Sequence, residues 1–161
     1  MTIRYAVPDD VSALSAVETE CFPPAEAATT AEFAERVAYY GNHFWLMYDG
    51  DKLISFVDGF VTDKADLTDE MYENAAMHNE NGAWQMIFVV NTLPAYRQHG
   101  YAGELIQKAI ADTKEQGRKG LVLTCKNRLV PYYARFGFVD EGMTDKSTYG
   151  NVAWHQMRLV F

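Results

Sequence analysis

Residues 84–110 read WQMIFVVNTLPAYRQHGYAGELIQKAI and join three local patterns in one run. The apolar, β-branched segment from Met86 to Val90 predicts a buried strand. Leu93-Pro94 then predicts a turn, because proline interrupts regular structure. Apolar residues recur after it at helical spacing: Ala102, Leu105, Ile106, Ala109 and Ile110. The run therefore predicts a strand that leads through a glycine-containing loop into a helix.

A loop of this kind can bind an anion. The first N–H groups of a helix have no partner within the helix, and the helix dipole adds positive potential there. Gly100 has no Cβ that would hold a phosphate away from the backbone. The N–H groups of residues 98–103 could therefore surround a pyrophosphate. The alternative is a plain strand-to-helix turn with a structural glycine.

Two motifs resemble those of a known enzyme family. Arg97-x-x-Gly100-x-Ala102 matches the R/Q-x-x-G-x-G/A motif of the GNAT N-acetyltransferases, and YARFGF at residues 133–138 resembles that family's Tyr-x-x-x-Gly-Phe signature. Within the family, LVPYYARFGF at residues 129–138 is similar to the LVPFYQRFGF of the arylalkylamine (serotonin) N-acetyltransferases. Residues 56–68 and Cys21-Phe22 also have counterparts there. The likeness covers nearly the whole chain.

The resemblance implies an α/β protein with the GNAT (acyl-CoA N-acyltransferase) fold. Its mixed central sheet would have about seven strands with helices on both faces, all in one domain over residues 1–161. In that family the central strand, here Met86 to Thr92, splays away from the next parallel strand, here Leu121 to Cys125. Acetyl-CoA occupies the gap as co-substrate, and its pantetheine pairs with the central strand like an added strand.

The same resemblance implies a set of cofactor-binding residues. They lie on the central strand, in the glycine-containing loop, after the next parallel strand and in the downstream motif. These residues are Val90, Asn91, Thr92, Gln98, His99, Gly100, Tyr101, Ala102, Gly103, Asn127 and Tyr133. The ring of His99 is expected to matter less than its backbone. No metal is expected.

Tyr133 is the expected catalytic residue. The family likeness places this tyrosine beside the thioester sulfur. A phenol with a pKa near 10 is protonated at neutral pH and can give a proton to a developing thiolate. A tyrosine of the protein core is the alternative role, and Tyr132 lies one residue out of register with the motif.

The chain departs from its relatives at the general base. The arylalkylamine enzymes carry a His-x-His pair on the central strand, and those positions are Met86 and Phe88 in this sequence. Neither side chain can take a proton. The histidines at 43, 78, 99 and 155 do not occupy those positions. Deprotonation of the amine is therefore expected through waters or in bulk solvent.

Aromatic and proline residues are candidates for the wall of an acceptor site. Phe22, Pro23 and Pro24 lie in the stretch that covers the acceptor in the relatives, and Phe88 could contribute a further aromatic wall. Aromatic side chains also form ordinary core, which is the alternative. Glu26 and Asp58 are two carboxylates that could attract an ammonium group, and the sequence does not rank them.

Composition excludes several classes of function. The formal net charge of −8 argues against nonspecific binding to nucleic acid or to anionic membranes. It is compatible with a small cationic substrate. Cys21 and Cys125 form no metal-ligand spacing, and with no signal-peptide pattern they are expected to be free thiols in a reducing cytoplasm. A homodimer is left open.

The remaining elements follow from local signals. Helices are expected after Pro8-Asp9-Asp10 and after the capping box Thr29-x-x-Glu32, and a hairpin is expected at Asp49-Gly50-Asp51 between strands at 43–48 and 52–62. Residues 63–80 predict a surface insertion with a short helix, residues 129–136 a short helix that Gly137 ends, and residues 138–143 and 152–161 a final strand pair.

Two functions of different classes follow. The first is acetyl-CoA-dependent transfer of an acetyl group to a primary amine of a small molecule, arylalkylamine or polyamine-like. The second is a CoA-binding module of this fold with little or no turnover, acting as a sensor or interaction partner. The absent histidines favour the second, and the retained Tyr133 favours the first.

Overall fold

The computed structural model describes residues 1–147 and 152–161. These divide into two compact units, which are residues 1–59 with 89–109 and residues 60–88 with 110–161. The strands in chain order are β1 Thr2–Arg4, β2 Phe44–Asp49, β3 Lys52–Asp58, β4 Val61–Thr62, β5 Trp84–Ile87, β6 Val89–Thr92, β7 Gly120–Lys126, β8 Val139–Thr144 and β9 Trp154–Val160. The α-helices are α1 Val11–Cys21, α2 Thr30–Tyr40, α3 Asp69–Glu73, α4 Tyr101–Glu115 and α5 Val130–Ala134.

The first unit contains an antiparallel sheet in the order β1-β2-β3-β6. Helix α1 packs against β3, β6 and α2. The two-residue turn between β2 and β3 is the predicted hairpin, and Gly50 adopts φ 58° in it. Phe33, Tyr40 and Trp45 are among the fully buried side chains of this unit.

The capping box that begins α2 has the predicted geometry. The Glu32 N–H donates to Thr29 Oγ1 at 3.2 Å, and the Thr29 N–H donates to Glu32 Oε1 at 3.1 Å. The helix buries Phe33, Val37 and Tyr40, the residues of its predicted apolar face.

The second unit contains a mixed sheet in the order β4-β5-β7-β9-β8. Strands β5 and β7 are parallel, with Trp84 opposite Gly120, and the other neighbours are antiparallel. The predicted final strand pair is β8 and β9. Gly120 leaves no room for a side chain, since a Cβ there would lie 1.9 Å from the Leu159 carbonyl oxygen.

Two predicted strands are each interrupted. The sequence predicted one strand from 52 to 62, but Gly59 and Phe60 separate β3 from β4. It also predicted one central strand from Met86 to Thr92, but Phe88 separates β5 from β6. Because each break sends the chain from one sheet to another, the described residues form sheets of four and five strands instead of one of about seven. Hydrophobic periodicity does not report such a change of partner.

Residues 63–80 are more firmly packed than the predicted surface insertion. The short helix α3 is present, but Leu67, Met71 and Ala75, which lie at spacing four, are all buried. The α/β class is confirmed. None of the helices in residues 1–147 and 152–161 has the length and apolar character of a membrane span.

Candidate active site

The glycine-containing loop follows β6 in the first unit. After a short 3-10 turn at Pro94–Tyr96, residues 97–100 lead directly into α4. Two residues of the loop have left-handed backbone, Gln98 with φ 65° and Gly100 with φ 80°. Glycine adopts this region without cost, whereas a side chain such as that of Gln98 disfavours it. Left-handed backbone therefore occurs at two of the three residues just before α4.

Hydrogen bonds at the start of α4 leave N–H groups available. The Glu104 N–H donates to the Gly100 carbonyl at 3.1 Å, which is the first turn of the helix. The N–H groups of Tyr101, Ala102 and Gly103 precede that bond, and such groups have no partner within a helix. A Cβ built on Gly100 would meet no atom within 4 Å. The loop is thus open on the side where an anion would approach.

Side chains brace this loop from within. The His99 ring donates from Nδ1 to the carbonyls of Arg97 at 2.8 Å and Tyr96 at 3.2 Å, and it stacks on Tyr101 with ring centroids 5.5 Å apart. Arg97 Nε donates to the Thr92 carbonyl at 3.0 Å. The His99 ring therefore has a structural contact that the sequence prediction, which stressed its backbone, did not include.

Strand β6 carries the three predicted pantetheine-pairing residues and is the last strand of its sheet. Val90 and Thr92 are half-buried, and Asn91 is buried. The Asn91 side-chain Nδ2 donates to Glu18 Oε1 at 3.2 Å, and the Asn91 backbone carbonyl accepts from Ser55 Oγ at 2.9 Å. An edge strand presents backbone groups with which an extended ligand can pair.

Tyr133 lies in the second unit, on α5, and its side chain is buried. Its ring contacts those of Tyr132 and Phe138 edge-on, with centroids 5.1 and 6.2 Å away. Burial raises the pKa of Tyr133 well above that of a free phenol, and the neighbouring Tyr132, Cys125 and Tyr72 raise it further. The phenol therefore stays protonated at any physiological pH, as a proton donor must.

The short helix that carries Tyr133 is close to its predicted bounds. Asn127 begins a 3-10 turn directly after β7 and is exposed. Gly137 follows α5 with φ 103°, which ends the helix as the sequence predicted.

The two positions that are histidine in the arylalkylamine enzymes lie in apolar surroundings in the second unit. Met86 is fully buried. Phe88 packs against Phe60 and Tyr72, with ring centroids 4.9 and 4.8 Å away. Phe88 was a candidate for the acceptor wall, and within its unit it belongs to this aromatic group.

The other candidates for the acceptor wall follow α1 in the first unit. Phe22, Pro23 and Pro24 are all exposed, and the Pro23 carbonyl accepts from the N–H groups of Glu26 and Ala27. Glu26 is exposed as well. The segment returns to the unit at Ala28, whose N–H donates to Glu18 Oε2 at 3.2 Å.

Asp58 differs from Glu26, the other candidate carboxylate, in its burial and in its hydrogen bonding. It is the last residue of β3, it is 0% exposed, and neither of its carboxylate oxygens has a hydrogen-bond partner among the described residues. Burial raises the pKa of Asp58 to about 7. Glu18, on α1, is also buried and its pKa is also raised, chiefly by burial. A charged residue inside the apolar run from Leu53 to Val61 was the signal that could have ranked Asp58 above Glu26.

Known proteins match this chain in sequence and in fold. The acetyltransferase (GNAT) family model matches residues 11–138. Serotonin N-acetyltransferase from Mesocricetus auratus is 26% identical over 146 residues, which cover 78% of this chain and 69% of that protein.

Two solved structures show the shared fold. The GphF GNAT-like decarboxylase, in complex with isobutyryl-CoA, has a TM-score of 0.80 at 18% identity and covers 99% of each chain. Arabidopsis thaliana Naa50, in complex with the bisubstrate analogue CoA-Ac-MVNAL, has a TM-score of 0.75 at 17% identity over 99% of this chain and 98% of that one. The GNAT fold predicted from the motifs is therefore confirmed. Because the family model matches residues 11–138, which are most of the chain and include the loop that begins α4, the chain belongs to the acetyltransferase (GNAT) family.

Proposed function

We propose that this protein is an acetyl-CoA-dependent N-acetyltransferase that moves an acetyl group directly to a primary amine of a small molecule. The observation that carries this proposal is the loop before α4. Left-handed backbone at Gln98 and Gly100 leads into a helix start with open N–H groups. Such a start binds phosphate oxygens without any cationic side chain.

In this proposal the loop and the strand before it bind different parts of the CoA molecule. The backbone of residues 98–103 binds the pyrophosphate, and the edge of β6 at Val90, Asn91 and Thr92 pairs with the pantetheine. Asn127 contacts the pantetheine or a bound water. The CoA ligands present in the GphF and Naa50 structures support the choice of CoA.

Tyr133 is the proposed proton donor to the CoA thiolate. Its buried phenol remains protonated, so the proton is available whenever the thiolate leaves. The attacking amine needs a lone pair, and the proposed acceptor is an arylalkylamine or a polyamine-like molecule. The acidic charge of the chain and the likeness to serotonin N-acetyltransferase support a cationic acceptor of this kind.

Calorimetry with CoA and acetyl-CoA tests the cofactor site. Gly100→Asp adds a negative charge where the pyrophosphate binds, so we expect at least tenfold weaker CoA binding, about 1.4 kcal/mol. Gly117→Asp is the matched control, because Gly117 is also exposed, has φ 76° and has open space around a Cβ. In both variants an aspartate must adopt left-handed backbone, so the conformational cost of the substitution is similar. Wild-type CoA affinity in Gly100→Asp would contradict the placement of the pyrophosphate.

A CoA-binding module with little or no turnover is the second candidate. Buried Met86 and packed Phe88 favour it, since neither can remove the proton from an ammonium group. An assay of CoA thiol release with a panel of primary amines separates the two. Amine-dependent release supports the transferase, and CoA binding without release on any amine supports the module.

We also propose that residues 1–161 act as a single catalytic domain in the cytoplasm. Cys21 and Cys125 are free thiols, as a reducing compartment requires.

A further inference from the structure

The proposed transfer lacks a group that takes the proton of the amine. An alkylammonium has no lone pair, so an acetyl acceptor must lose a proton before it attacks. The relatives' histidine positions hold Met86 and Phe88. The most informative buried titratable group left unexplained is Asp58, in the first unit.

The surroundings of Asp58 disfavour the ionised form of its carboxyl group. Its side chain is fully buried, and the described chain gives no hydrogen bond to Oδ1 or Oδ2. A buried carboxylate without donors is destabilised by several kcal/mol, so such a group is either protonated or supplied with donors by something bound. Native proteins leave few polar groups in this state, and a catalytic role or a bound water or ion is among the explanations for such a group.

Charged and titratable groups near Asp58 lie on α1, on α2 and directly before β2, where the backbone carbonyl of buried His43 accepts from the Gly59 N–H at 3.4 Å. Arg36, on α2, lowers the pKa of Asp58, and Glu18, on α1, raises it, while burial is the largest effect and brings it to about 7. Tyr40, at the end of α2, has its own pKa raised by burial and by the Asp58 charge. A carboxyl in this balance is partly ionised at neutral pH, which suits proton transfer.

Glu18 connects this carboxyl to two elements named above. Its Oε1 accepts from the Asn91 side chain of β6, and its Oε2 accepts from the Ala28 N–H at the end of the exposed segment that contains Phe22, Pro23 and Pro24. Glu18 therefore joins the strand proposed to hold pantetheine to the segment proposed to cover the acceptor, and its charge acts on Asp58, whose backbone pairs with Val89 at the start of the same strand. We call Glu18 and Asp58 the acidic pair. All of these residues belong to the first unit.

We propose that Asp58 is the proton acceptor for the substrate amine and that the acidic pair binds the ammonium group of that substrate. An ammonium group offers three N–H donors. These can form hydrogen bonds to the Asp58 carboxyl oxygens, which have no partner among the described residues. The charge of the ammonium also offsets the repulsion between Asp58 and Glu18. This inference rests on the proposed acetyl transfer.

The proton balance of the step is complete. Ionised Asp58 takes one proton from R–NH₃⁺, which leaves R–NH₂ and a neutral carboxyl. The amine lone pair forms the C–N bond, the C–S bond breaks, and the thiolate receives the proton of the Tyr133 phenol. The second proton lost by the nitrogen restores that phenol, and Asp58 releases its proton to solvent when the amide leaves.

Entry of the amine requires a local opening, because Asp58 is 0% exposed. The Ala28 N–H donates to Glu18 Oε2 at 3.2 Å, and the Phe22 N–H donates to the Glu18 backbone carbonyl at 2.9 Å, so both ends of the Phe22–Ala28 segment are joined to Glu18. Breaking the Ala28 bond returns an acceptor oxygen of Glu18 to the incoming ammonium group.

The test is the pH dependence of kcat/KM for wild type and Asp58→Asn, measured with primary amines of different pKa. In wild type we expect an acid limb near pH 7 that stays in place from one amine to the next, because it reports the enzyme carboxyl. In Asp58→Asn we expect about 10²-fold lower kcat/KM at pH 7. The acid limb of the variant should move to the pKa of each amine, because only the neutral amine then reacts. A wild-type limb that follows the amine would overturn the proposal.

Two further variants distinguish a base from a structural carboxyl. Glu18→Gln removes a charge that raises the pKa of Asp58, so the acid limb should move to lower pH, and an unmoved limb would overturn the proposal. Asp51→Asn changes an exposed carboxylate of the same unit, in the turn between β2 and β3, and should leave the profile as in wild type.

Calorimetry with CoA separates this inference from the proposed function. Wild-type protein that binds CoA but acetylates no amine refutes the transferase itself. Asp58→Asn with wild-type CoA affinity and an unaltered pH profile refutes only the role of Asp58.

Discussion

Asp58 in the first unit and Tyr133 in the second are both buried acids whose pKa is raised by burial, yet the chemical result is opposite. A carboxyl begins near pKa 4, so burial brings the pKa of Asp58 to about 7, where it can take up and release a proton. A phenol begins near 10, so the same effect moves Tyr133 further from neutrality and keeps it protonated. Burial thus makes the carboxyl suitable as a base near neutral pH, whereas it keeps the phenol protonated and makes it a weaker acid.

The neighbours of the two groups differ in kind. Arg36 opposes the effect of burial on Asp58, whereas Glu18 adds to it. At Tyr133 the neighbours Tyr132, Cys125 and Tyr72 all act in the same direction as burial. Single substitutions of its neighbours can therefore move the pKa of Asp58 in either direction, whereas removing any of these neighbours of Tyr133 can only lower the pKa of that phenol.

The largest expected effect concerns stability as a function of pH. The pKa of Asp58 is raised from 3.8 to about 7, so the folded state binds this proton more tightly than the unfolded state. Its contribution to stability is fully present below pH 3.8 and is lost as the pH rises through about 7. A shift of this size corresponds to about 4 kcal/mol. Asp58→Asn should therefore gain up to that amount over wild type between pH 4 and pH 8, measured by urea unfolding.

The sign of the change in unfolding free energy for Asp58→Asn shows whether the Asp58 carboxylate lacks partners in the folded protein. A variant that is more stable at pH 8 and less active is typical of a residue kept for function. Loss of stability in Asp58→Asn at pH 8 would mean that the ionised carboxylate is paired in the folded protein, contrary to the absence of partners among the described residues.

The next effect concerns the phenol. Tyr133→Phe removes only a hydroxyl, so kcat should fall about 10²-fold, the low end for general acid catalysis because a thiolate leaves well unaided. That loss equals about 2.7 kcal/mol in the activation barrier. CoA affinity from calorimetry should stay unchanged, because the lost interaction is made in the transition state.

Tyr132→Phe is the matched control for that experiment. It removes the same hydroxyl from the adjacent residue, which is half-buried and contacts Phe136 with ring centroids 5.3 Å apart. Its kcat should remain near wild type. Equal losses in the two variants would remove Tyr133 from the mechanism.

A smaller effect is expected at Asp10, the other buried aspartate of the first unit. Burial acts to raise the pKa of Asp10, but hydrogen bonds from Arg4, the Val7 N–H and Tyr48 outweigh it and lower the pKa. Its contribution to stability is therefore present above pH 3.8 and is lost as the pH falls. Asp10→Asn should cost about 1–3 kcal/mol at pH 7.

Asp10→Asn and Asp58→Asn should thus have opposite signs near neutral pH in the same unfolding assay. If both variants destabilise the protein by similar amounts, hydrogen-bond supply is not what distinguishes the two carboxyls.

The smallest effect concerns the backbone of the loop. Gln98 adopts φ 65°, which costs a residue with a side chain roughly 1 kcal/mol or more. Gln98→Gly removes that cost but enlarges the entropy of the unfolded chain, so a gain in stability of at most about 1 kcal/mol is expected. CoA affinity should persist, because the proposed contact is a backbone N–H. A large loss of CoA affinity would assign the contact to the Gln98 side chain.

Much of this architecture was predictable because it depends on local patterns. The capping box at Thr29 and Glu32, the hairpin at Gly50 and the helix end at Gly137 all have the predicted form. The motif around Gly100 predicted both the family and the strand-to-helix loop. The breaks at Gly59 and Phe88 were not predictable, because each depends on which strand lies alongside and not on the residues within the run.

The sequence alone determined the family, the loop that begins α4 and the absence of histidine at positions 86 and 88, because these depend on residue identity and spacing. Only the tertiary structure ranked the carboxylates. Asp58 and Glu26 are both acidic residues in a sequence, and packing alone removes one from water and leaves the other in it. Proton affinity depends on that packing, since the energy of a charge is set by the solvent and the donors around it.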